Sequence, residues 1–142
     1  MTEITLRATL TTGMRFDAET ASGHHILLDS VSQSTEHDSG SGPMETLLAA
    51  LAGCSGISML SILRKKRQDI TGYEIRVSGK QAETYPHVFT AIRVEHILTG
   101  HNLQEEAVQR ALQLTEERYC SVSIMLSKAT TLIQTFRIIE TG

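Results

Sequence analysis

From Met44 to Leu63 the chain runs through a stretch whose one charge is Glu45, and apolar or small residues fall on every side of a helical wheel. A helix without a polar face has nothing to offer water, so it must be covered all round. The 18 residues from Thr46 to Leu63, followed at once by Arg64, Lys65, Lys66 and Arg67, also reach the length of a membrane span. Against a span stand Thr46, Ser55, Ser58, Ser61, Gly53 and Gly56 within the stretch, and strand-like patterns on both sides of it. A helix buried inside a mixed fold fits these better. Ala49, Gly53 and Gly56 recur at intervals of four and three, which predicts a stripe without bulk where a second helix packs closely. Pro43 suits the first helical turn and the basic tetrad suits the negative C-terminal end.

The flanking sequence reads as strands. Ile4, Leu6, Ala8 and Leu10 alternate with polar residues, Met14, Phe16 and Ala18 alternate again, and His25-Ile26-Leu27-Leu28 gives a third run. With turns at Thr12-Gly13 and Ser22-Gly23 these predict a three-stranded meander. Residues 30–42 are polar and rich in Gly and Ser, so they read as a loop. Tyr73, Ile75 and Val77, then Val88, Ile92, Val94 and Leu98, predict a hairpin across a Tyr85-Pro86 turn. Asn102, with Glu105 in capping-box register, predicts the start of a second helix whose inner face is Ala107, Val108, Ala111, Leu112 and Thr115 and which stops near Tyr119. A short apolar turn at Val122–Leu126 and a strand from Leu132 to Ile139 follow. The order βββ-α-ββ-α-β is an α+β class, two helices on a largely antiparallel sheet, with residues 1–142 forming a single domain.

Composition narrows the function. Thirteen Lys+Arg against 16 Asp+Glu, a net charge of -3 and aromatics at 4% give neither the charge footprint nor the stacking platform of a nucleic-acid binder. The six histidines, at 24, 25, 37, 87, 96 and 101, show no compact metal signature, so no metal is expected. Only His96 lies on the apolar parity of its strand, which predicts a hydrogen-bonded core histidine. The N-terminus has Glu3 and alternation in place of a signal peptide's basic start and apolar block, which predicts a cytoplasmic protein.

The two cysteines, Cys54 and Cys120, have no CxxC spacing and support neither a disulfide scaffold nor a zinc module. Cys54 lies among small residues in Ala52-Gly53-Cys54-Ser55-Gly56 that leave its sulfur open to approach. Taken alone, a cysteine in an apolar helix is a small hydrophobe, and burial raises its pKa. A reactive thiolate here needs a cation close by, because the helix N-terminus is too distant to help.

Pro43-Met44-Glu45 followed by Leu47-Leu48-Ala49-Ala50-Leu51-Ala52-Gly53-Cys54, with a second motif Tyr119-Cys120-Ser121-Val122-Ser123, resembles the OsmC/Ohr family of osmotically inducible and organic hydroperoxide resistance proteins. The resemblance extends over nearly the whole chain in element order. It implies an intertwined homodimer with the long helices central, which would cover a helix apolar on all sides. It also implies a thiol-dependent peroxidase without a bound cofactor. Cys54 would attack an organic hydroperoxide and become a sulfenic acid, Cys120 would resolve it as a disulfide, and an external dithiol would reduce the pair. By motif, Arg15 in Gly13-Met14-Arg15 is the thiolate-activating arginine, with Arg7 the other candidate, and Glu45 is the carboxylate that positions it. Two positions depart from the pattern. Met44 stands where the peroxidase branch has Glu, with Glu45 one residue and about 100° of helical rotation away, and Ser121 replaces a Pro. Other readings of the same residues are a non-catalytic dimer binding a small apolar or thiol-containing ligand, and a redox sensor.

Overall fold

Leu6–Thr12 (β1), Arg15–Thr20 (β2) and His25–Leu28 (β3) form an antiparallel sheet in that order. Gly13 makes the first turn with φ +54°, a value that L side chains seldom adopt. Register places Leu6, Leu10, Phe16 and Ile26 on one face, as the alternation requires, yet all four remain exposed, Leu6 at 60% and Leu10 at 57%. The computed structural model describes residues 2–30 and 39–141. Most of the expected 30–42 loop, His37 included, therefore lies outside the described residues. The chain divides into two compact units, 1–47 and 48–142, the division falling within the long helix α1, Pro43–Lys65.

In the second unit, Asp69–Gln81 (β4) and Phe89–His101 (β5) make the expected hairpin, pairing Tyr73 with Leu98, Ile75 with His96 and Val77 with Val94. Thr131–Glu140 (β6) then lies parallel to β5. A parallel neighbour needs a crossover, which Glu105–Leu114 (α2), a π-helical turn at Thr115–Tyr119 and Ser121–Ser127 (α3) provide. Three of the four strand pairs are antiparallel, but they lie in two three-stranded sheets where one sheet was expected. Met59 and Leu63 of α1 pack with Leu98, Leu103 and the α2 residues Val108, Ala111 and Leu112 as the core.

Several local expectations are corrected. The segment read as an apolar turn is the helix α3, because the Cys120 sulfur accepts the Ser123 N–H and starts it. Asn102 does not cap α2. It takes a left-handed φ of 52°, and the N-cap is Gln104, whose own N–H donates to Gln68 Oε1 at 2.8 Å. On α1, the stripe Leu51, Ser55, Met59 and Leu63 is buried, but the helix is not enclosed on every side, since Ile57 is 74% exposed. The bulk-free stripe receives a strand side chain at Gly56, where an added Cβ would sit 2.6 Å from Ile75 Cδ1, and Gly53 has nothing near it. By length and composition α1 could cross a bilayer, but its buried stripe belongs to the core of this α+β unit.

Candidate functional site

Tertiary structure brings the two cysteines together. Cys54 lies midway along α1, half-buried, beside the buried Ser55. The π-helical turn ends at Cys120, fully buried and in extended backbone (φ −88°, ψ 97°), from which α3 begins. Both are free thiols.

Around Cys120 the partners are specific. Its Sγ lies 3.3 Å from Ser55 Oγ and accepts the Ser123 N–H at 3.4 Å, while Ser123 Oγ donates to the Cys120 carbonyl at 3.1 Å. The Cys54 sulfur meets the N–H groups of Ser121 and Val122 and the Cys120 thiol. The two sulfurs are thus neighbours at the start of one short helix, and the ionisation of each bears on the other.

Their electrostatics differ. Burial pushes the Cys54 thiol up, and the Cys120 sulfur adds to this against the opposing Val122 and Ser121 amides. Burial also works against a Cys120 thiolate, but hydrogen bonds from Ser123, Ser55 and Cys54 outweigh it and hold Cys120 below the ordinary thiol value. None of these influences on Cys54 is a cation. Within this unit, then, ionisation is easier at the buried Cys120 than at the more accessible Cys54.

The other expected residues have separate surroundings. Arg15 opens β2, half-buried, and its Nε donates to Thr11 Oγ1 at 2.9 Å. Arg7 is exposed on β1 opposite Glu19. Glu45 reaches back to accept the Gly42 N–H at 2.7 Å, which closes the first turn of α1. No ion pair joins Arg15 to Glu45 among the described residues. His96 is the core histidine expected, with Nδ1 2.6 Å from the Tyr73 hydroxyl and Nε2 2.8 Å from Gln134 Oε1.

A groove of about 500 Å³ is lined by residues near both cysteines in sequence, though by neither cysteine itself. Ser58, one turn beyond Cys54, and Tyr119, next to Cys120, line it together with Ile57, Ile62 and Leu114, and Lys65 and Lys66 supply positive charge. Ser55 and Ser123 are the site residues that sequence reasoning missed. The signal was present, a serine directly after Cys54 and the Ser-Val-Ser run after Cys120, but nothing in one dimension aims either hydroxyl.

A family model described as OsmC-like protein matches residues 36–135. The chain is 41% identical to protein YhfA of Escherichia coli K12 over 127 residues, which is 89% of this chain and 92% of that one. Among solved structures, a protein of Aquifex aeolicus VF5 superposes with a TM-score of 0.89 at 27% identity, both chains covered in full. The organic hydroperoxide resistance protein OhrB of Bacillus subtilis superposes with a TM-score of 0.63 at 19% identity, covering 94% of this chain and 98% of that one, a likeness of fold.

Proposed function

The chain belongs to the OsmC-like protein family, and on that footing we propose that it is a cytoplasmic, homodimeric, thiol-dependent peroxidase acting on organic hydroperoxides. The observation that carries this reading is the direct pairing of an accessible thiol, Cys54, with a buried thiol, Cys120, held toward its ionised form. Neighbours of the same fold that are described as organic hydroperoxide resistance proteins support the substrate class.

The Cys54 thiolate attacks the distal oxygen of the hydroperoxide, the O–O bond breaks, and the alkoxide takes a proton and leaves as an alcohol. Cys54 is now a sulfenic acid. The Cys120 thiolate attacks the Cys54 sulfur, the S–O bond breaks, hydroxide leaves and is protonated to water, and a disulfide remains. An external dithiol returns both thiols, so no bound cofactor or metal is needed. Because the surroundings of Cys54 in its own unit disfavour its charge, activation calls for a cation, and Arg15 is assigned that part by motif, with Glu45 as the motif's carboxylate. The apolar groove beside Ser58 and Tyr119 suits the organic portion of the substrate. A second copy would cover Ile57 of α1 and the exposed apolar face of the β1–β3 sheet.

The test treats the reduced protein with an organic hydroperoxide and maps disulfides by mass spectrometry. A Cys54–Cys120 link that is absent in Cys54→Ser, with turnover on added dithiol, is expected. A link without turnover assigns the chain to redox sensing, and a Cys54 that stays reduced under peroxide excess ends the proposal. Sedimentation of the reduced protein at twice the 15.6 kDa chain mass is expected, and a monomer would reject the dimer.

A further inference from the structure

The hydroxyl of Ser55 is fully buried, 3.3 Å from Cys120 Sγ, and adjacent in sequence to Cys54. A buried hydroxyl costs free energy unless it is hydrogen-bonded, and the bond recorded for this one is to the sulfur of Cys120. On the other side of that sulfur stands the Ser123 N–H at 3.4 Å. The two partners come from different elements, α1 and α3, and converge on one atom. Ser123 is itself fixed by its hydroxyl, which donates to the Cys120 carbonyl. The sulfur is therefore held in position from two sides.

From this geometry we infer that Ser55 is a positioning residue for disulfide closure: its hydroxyl, 3.3 Å from the Cys120 sulfur, donates to the thiolate that attacks and keeps it directed at Cys54. This rests on the peroxidase reading and extends it. The step served is the second one, in which the Cys120 thiolate attacks the Cys54 sulfenic acid, an S–S bond forms, and hydroxide departs. A thiolate lacking this donor picks up a proton more readily and is freer to turn away, and both effects slow closure. The attack on the peroxide uses the other sulfur, which has no hydrogen bond to the Ser55 hydroxyl among the described residues. The helix gives an added economy, since the residue that serves the resolving sulfur is held rigidly next to the residue that is oxidised.

The decisive comparison is between Ser55→Ala, which suits a helix interior, and Ser55→Thr, which keeps the hydroxyl. After one equivalent of organic hydroperoxide, sulfenic acid at Cys54, trapped by a cyclic diketone, is expected to form in both, and closure is timed from its appearance. In Ser55→Ala it persists, with closure about tenfold slower, the scale of losing one hydrogen bond to a charged group, while Ser55→Thr closes at close to the wild-type rate. In a Cys54→Ser background and without peroxide, ultraviolet titration of the Cys120 thiolate is expected to move to higher pH in Ser55→Ala only. Ser55→Ala closing and titrating as the wild type does overturns the inference, as does equal loss in the Ala and Thr variants. If no sulfenic acid forms in the wild type, the peroxidase reading fails by itself, and the peroxide-free titration still decides whether Ser55 governs the Cys120 charge.

Discussion

Protonation of His96 is the perturbation for which the structure gives a sign and a scale. Gln134 Oε1 can only accept, so Nε2 of His96 carries the proton and Nδ1 receives the Tyr73 hydroxyl. Burial holds the His96 pKa below its ordinary 6.5, and burial likewise pushes Tyr73 up, so Tyr73 remains a donor. An imidazolium would confront that donor with a second one in a site closed to water. The unfolded chain binds this proton near pH 6.5 and the folded one only at lower pH. The stability contributed by a neutral His96 is therefore complete above 6.5 and is lost as pH falls from there through the folded value, the folding constant dropping toward tenfold per pH unit. Urea unfolding between about pH 7.5 and about pH 5, compared for wild type and His96→Gln, isolates the term. His25, raised by Asp17, has the opposite sign but cancels in that difference. The wild type should lose stability with acid relative to His96→Gln. At neutral pH, His96→Leu strands the Tyr73 hydroxyl and Gln134 Oε1 and should cost about 2 to 5 kcal/mol. A difference curve that is flat across the range would refute the assignment of a neutral, buried His96.

Gly100 lies where an added Cβ would fall on the Asp69 carbonyl oxygen and within 2.9 Å of Leu103 Cδ2. Gly100→Ala must push β4 and β5 apart, so a loss of about 1 to 3 kcal/mol or more is expected in thermal unfolding, and an unchanged Tm would contradict that packing. Arg15→Ala should shift the pH profile of Cys54 alkylation upward and slow peroxide turnover. A superimposable profile rejects Arg15 as the activating cation and moves attention to Arg7.

What the sequence determined by itself was whatever follows from local periodicity. Alternation placed β1, β2, β4 and β5, apolar runs placed β3, β6 and α1, and the spacing of Val108, Ala111 and Leu112 placed the inner face of α2. Each of these patterns reports burial repeated over several residues, which a one-dimensional reading can count. The cysteine pair was legible as two residues in two motifs, and His96 as a core histidine by its parity. Tertiary structure decided what depends on groups distant along the chain. The start of α3 uses a cysteine sulfur as its cap, and the Gln104 N–H at the start of α2 donates to Gln68 Oε1, so neither carried a usual capping residue. Asn102 and Glu105 showed the right spacing, but a left-handed backbone removed Asn102 from the role. Glu45, in the place of a site carboxylate, accepts a hydrogen bond from its own helix start. Above all, which sulfur ionises more easily depends on Ser55, Ser121, Val122 and Ser123 gathering around two atoms. Ionisation is set by donors within a few ångströms, and only folding specifies which donors those are.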